Sequence, residues 1–122
     1  MYAGIMDMYQ QRYEEIAQDS SRNLRSTERR VLELAIGKLL SAQEKGSLTP
    51  EAFEATAFLR RIWAVFISDL SHPENALNEN TRAGLISIGT WIQAELDRID
   101  SGQSTNFSAL IDINRIIADG LV

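Results

Sequence analysis

Apolar residues recur at spacings of three and four along almost all of this 122-residue chain, and its two prolines, Pro50 and Pro73, fall between the periodic segments rather than inside them. Residues three, four and seven apart share one stripe of a helix, whereas a half-buried strand needs strict alternation, and no alternating stretch competes here. The pattern therefore specifies an all-α chain. Its length suits one domain with a single core.

Four helical segments can be delimited. From about Arg22 to Lys45, Leu24, Val31, Leu32, Ala35, Leu39 and Ala42 lie on one stripe, with Ser20 or Ser21 as a cap and Gly46 as the stop. Thr49-Pro50 starts a second helix, because the threonine hydroxyl can accept from an orphan amide while proline at the first helical position loses no needed donor. That helix runs to about Leu70. Phe58, Leu59, Ile62, Trp63, Val65, Phe66, Ile67 and Leu70 cover about half its circumference, which makes it the central helix. Asn78 caps a third helix over about Glu79 to Asp100, with Leu85, Ile88, Gly89, Ile92, Leu96 and Ile99 on its seam. Gly84 and Gly89 each cost about 1 kcal/mol relative to alanine there, so close approach of a neighbouring helix is expected at both. Asn106 or Thr105 caps a last helix carrying Phe107, Leu110, Ile111, Ile113 and Ile117, ended by Gly120.

Short connections between four such helices favour a compact antiparallel bundle over residues 22–122, a single helical domain. Residues 1–21 form an N-terminal arm in which Ile5, Tyr9, Tyr13 and Ile16 recur at helical spacing, too few to hold a helix without docking.

Charge and composition exclude several functions. The chain has no cysteine and one histidine, so thiolate chemistry and multi-histidine metal sites are absent. The formal net charge is −5, yet residues 22–61 carry eight basic side chains against five acidic ones. Arg22, Arg25, Arg29 and Arg30 have Glu28 and Glu33 interleaved and no aromatic residue among them, which suits a salt-bridged face or an acidic protein contact better than nucleic acid. Apolar runs are too short to cross a bilayer, and Met1-Tyr2-Ala3-Gly4-Ile5 lacks the features of a secretory signal, so a cytoplasmic protein without membrane insertion is expected.

No constellation suggests catalysis. His72 before Pro73 reads as a turn residue, and Glu95, Asp97 and Asp100 read as a solvated helix face rather than a cation site. Asn114 falls within an apolar stripe and needs buried partners. The informative residues are large and apolar. Trp63 reads as core, while Trp91, on the flank of its seam, suits either the core or a partner groove. Ile86 and Ile116 lie further off their stripes and would mark an interaction surface if they formed one patch.

Phe58-Leu59-Arg60-Arg61-Ile62-Trp63, then Asp69-Leu70-Ser71-His72-Pro73-Glu74-Asn75-Ala76-Leu77, resembles the flagellar biosynthesis regulator FlaF family of alphaproteobacteria. Later blocks agree in order: Arg82-Ala83-Gly84-Leu85-Ile86-Ser87-Ile88-Gly89-Thr90-Trp91, Asn106 through Arg115, and Asp119-Gly120-Leu121. The segment from Met8 to Ser20 is similar to the family's beginning. Residues 1–7 depart from it and read as an alternative start or a non-native extension.

The resemblance implies a cytoplasmic, non-enzymatic protein without cofactor, needed for flagellin production and filament assembly after transcription. Its implied partners are flagellin, the translational regulator FlbT and the flagellar export apparatus. The leading expectation is a flagellin-binding secretion chaperone and positive factor. The alternative is a regulatory adaptor that acts on flagellin mRNA translation through FlbT without gripping flagellin. For the first, Trp91 and Ile86 would meet the apolar face of an unassembled flagellin helix, with Arg25 and Arg29 at the rim steering an acidic partner. Tyr9, Tyr13 and Ile16 would cover the same groove when it is empty.

Overall fold

A computed structural model describes residues 25–121. The arm with Tyr9, Tyr13 and Ile16, the first residues of the first expected helix and its serine caps lie outside the described residues. Four helices are present among the described residues: α1 (residues 25–45), α2 (Pro50–Leu70), α3 (Glu79–Asp100) and α4 (Phe107–Asp119). No strand occurs among the described residues.

Local chemistry sets the helix ends. Gly46 takes a φ of 101°, a conformation that costs a side-chain-bearing residue, and its amide closes α1 on the Ala42 carbonyl at 2.8 Å. Thr49 then serves both sides of the turn: its hydroxyl donates to the Gly46 carbonyl at 2.7 Å and accepts from the Ala52 amide at 3.2 Å. Asn78 and Asn106 accept from the Thr81 and Ala109 amides at 2.8 and 3.3 Å, capping α3 and α4. In the α2–α3 connection, His72 is a turn residue whose Nδ1 accepts from the Glu74 amide.

The helices alternate in direction. Leu48, in the first turn, packs over Gly102 in the last, and Thr56 near the start of α2 bonds Asp100 at the end of α3. At the opposite end, Glu28, Leu70, Leu77, Leu85 and Leu121 surround one hollow. The result is the antiparallel bundle that the periodicity implies.

The core is centred on Trp63, with Leu32, Leu39, Leu59, Ile92, Leu96, Ile99, Phe107 and Leu110 fully enclosed around it. Its indole Nε1 donates to Asn114 Oδ1 at 2.8 Å, and Asn114 Nδ2 donates to the Leu110 carbonyl at 2.7 Å. Phe66 meets the indole edge to face at a centroid distance of 5.4 Å. Ala52, Ala55 and Thr56, which the sequence pattern did not single out, are also buried, as is Ile36.

Three expectations are corrected. Val65 is 66% exposed rather than part of the core face, because it lies about 200° around α2 from Trp63. Close packing holds at Gly89 but not at Gly84. A Cβ on Gly89 would stand 2.9 Å from both Ile67 and the Trp63 ring, whereas one on Gly84 would meet nothing. The acidic group of α3 is only in part a solvated face, since Asp97 is exposed but Asp100 is half-buried and Glu95 is enclosed. Glu95 is 5% exposed and accepts from the Ser104 hydroxyl, while Arg60 bridges Asp97 and Asp100 at 3.0 and 2.9 Å.

The two glycines give substitutions of opposite sign. Gly89→Ala drives a methyl into the indole and should lower stability by about 1–3 kcal/mol, since the enclosed ring cannot yield. Gly84→Ala should raise stability by about 0.5–1 kcal/mol through helix propensity alone. Urea denaturation of both variants reads this directly. Asn114→Ala should cost at least about 1–3 kcal/mol in the same measurement, because the indole donor is left buried without a partner.

Candidate functional site

The four-helix packing leaves a furrow unfilled between α1 and α2. Along its open stretch α1 contributes Glu28 and Val31, and α2 contributes Ile62, Val65, Phe66 and Asp69, around a hollow of about 490 Å³. The furrow continues over the end of the bundle into a tighter hollow of about 120 Å³, floored by Leu70, Leu77, Leu85, Ile117 and Leu121. Glu28, Phe66 and Asp69 line both parts and make them continuous. The floor is aliphatic and aromatic and the walls carry carboxylates.

The furrow follows from sequence geometry. α2 is apolar around half its girth; α3 and α4 cover the Trp63 side, and α1 lies beside Ile62. The strip carrying Val65 and Phe66 is left as a shelf. Val31 and Phe66 pack partly against the core and stay half-buried.

The electrostatics of the walls are unusual. Asp69 lies in the last turn of α2, which contains no basic residue, so its charge opposes the negative end of the helix dipole. Glu28 faces it. The Glu28 carboxyl is pushed above the ordinary glutamate range, first by desolvation against the furrow and second by the like charge of Asp69. Among the described residues, no cation forms an ion pair with either carboxylate, although Arg61 also lines the furrow.

The side chains proposed from sequence are placed elsewhere. Trp91 is 43% exposed on the outer side of α3, which settles it as a surface residue rather than a core one. Ile86 is half-buried. Five residues of helix put these two about 140° apart, so they do not form one face. Arg29 pairs with Glu33 at 3.0 Å and Arg25 is exposed; neither lines the furrow. Ile116 is exposed on α4. Sequence reasoning missed the furrow because it treated Val65 and Phe66 as core and Glu28 as part of a salt-bridged face. The available signal was the excess apolar breadth of α2, more than three neighbours could cover.

The lining suits apolar docking beside negative charge. A family model described as flagellar protein FlaF matches residues 9–121. The chain belongs to the FlaF family. No curated protein and no solved structure matches it. In this FlaF-family chain the furrow takes Ile62, Asp69, Leu70 and Leu77 from stretches that also carry the sequence resemblance, while Glu28, Val31, Val65 and Phe66 lie outside them.

The Glu28 environment gives a pH-dependent expectation. A carboxyl whose folded pKa is raised binds its proton more tightly in the native state, so this group's contribution to stability falls as pH rises through the folded value. Glu28→Gln should therefore stabilise the protein at pH 7. The gain should vanish below about pH 4, where both states are protonated. Thermal denaturation of the variant and the parent across that range measures the difference.

Proposed function

We propose that this FlaF-family protein is a non-enzymatic, cytoplasmic flagellin-binding protein, acting as a secretion chaperone and as a positive post-transcriptional factor for flagellin production and filament assembly. The observation that supports the reading is an apolar furrow left open by a flagellar-family bundle whose own core is otherwise closed. Unassembled flagellin exposes amphipathic helices that pair only in the filament, and a helix laid in a groove buries such a face at i, i+3, i+4 and i+7. The furrow takes the place of the Trp91 and Ile86 face as the contact.

A complex burying about 800 Å² on each partner is of standard size. Cargo must be surrendered for export, so a dissociation constant near micromolar, about −8 kcal/mol, suits the task better than picomolar binding. No helix among the described residues is long and apolar enough to cross a membrane. A partner that moves between cytosol and export apparatus is compatible with that.

Calorimetric titration of purified flagellin monomer into the protein should give a saturable complex. Val65→Glu should weaken it at least tenfold while shifting stability by no more than about 0.5 kcal/mol, because the side chain is already exposed. Trp91→Ala should leave affinity within about twofold and cost less than the about 3–5 kcal/mol expected of a core tryptophan. Absence of heat at tens of micromolar with both proteins folded would abandon this reading. Capture of FlbT in its place would favour the adaptor.

A further inference from the structure

We infer that the furrow between α1 and α2 is specific for an amphipathic helix carrying a lysine or arginine beside its apolar stripe, received by Glu28 and Asp69. The inference deepens the proposed function and rests on its premise that the furrow is a docking site.

A helix seated on Ile62, Val65 and Phe66 would exclude water from two carboxylates that stand side by side and form no ion pair among the described residues, with Arg61 the one described cation lining the same hollow. An uncharged or acidic occupant would bury both charges unpaired, which is strongly unfavourable. One basic side chain reaching that wall would neutralise the pair in a site of reduced dielectric. The placement of Asp69 points the same way. A carboxylate in the last turn of a helix works against the dipole and beside Glu28 it works against a like charge, and no ion pair among the described residues compensates it. A cationic partner does.

The alternative occupants are less well matched. Residues 1–21 of the chain carry one basic side chain, Arg12, against four acidic ones, so their net charge repels the walls. A second copy would have to bring a basic face that already meets its own glutamates, as Arg29 meets Glu33 and Lys38 meets Glu54.

The test uses two synthetic 18-residue amphipathic helices with identical leucine stripes, one with lysine and one with glutamate at a single flanking position, titrated into the full-length protein. The lysine peptide should bind at least tenfold more tightly. Asp69→Lys should abolish or reverse that preference and at the same time raise the melting temperature, since it removes a charge opposed by the dipole and by Glu28. Asp112→Lys, on the exposed side of α4, should leave the preference unchanged. Equal binding of the two peptides, or a preference that survives Asp69→Lys, would overturn the inference.

A fall in melting temperature for Asp69→Lys would also overturn it, because it would mean that a cation of the chain itself, such as Arg61 or Arg12, already pairs with the wall. A wild-type dimer dissociated by Val65→Glu in sedimentation equilibrium would overturn it in favour of a second copy. The two readings fail separately. Flagellin binding that ignores Asp69→Lys removes the charge rule and leaves the flagellin reading standing. Lysine-peptide selectivity without flagellin binding does the reverse.

Discussion

The hydrogen bond from the Trp63 indole to Asn114 is the constraint on which the rest of the bundle depends. Trp63 is the largest enclosed side chain, and its donor has no water to turn to; Asn114 supplies the acceptor and passes its own donor to the Leu110 carbonyl. Both polar groups are thereby satisfied inside an apolar core. The bond fixes the register of α4 against α2, since sliding either helix by one residue would strand the indole and the amide together. Gly89 completes the arrangement from the third side, letting α3 approach the indole where any side chain would collide.

Once α3 and α4 are held on the Trp63 face, the other edge of α2 depends on α1 for cover. Leu59 and Ile62 are covered, while Val65 is not and Phe66 only half so. The furrow is thus a residue of good packing elsewhere. Its acidic walls are held by a fold stable enough to tolerate two neighbouring carboxylates and a charge set against a helix dipole. Local rules broken without internal compensation are what binding surfaces commonly show. At the other end of the bundle, Arg60, Asp97, Asp100 and Thr56 tie α2 to α3.

Much of the fold was legible in the sequence. Thr49-Pro50, Asn78 and Asn106 mark helix starts by side-chain chemistry that acts within one turn, and Gly46 and Gly120 mark ends for equally local reasons. Asn114 announced itself as a polar residue on an apolar stripe. The candidate site was much less legible. Trp91 drew attention by its size, yet the furrow is built from Val65, Phe66, Glu28 and Asp69, each of which had an ordinary reading on its own helix.

The sequence by itself determined the helices, their caps, the stripes that face inward and, through blocks in order, membership of the FlaF family. These depend on contacts within a few residues or on chain order, and both are written directly in the letters. Only the tertiary structure decided that Gly89 is crowded and Gly84 free, that Glu95 is enclosed, and that Glu28 and Asp69 share one wall. Periodicity states which side of a helix is apolar, whereas the width of cover its neighbours provide depends on where several helices meet in space.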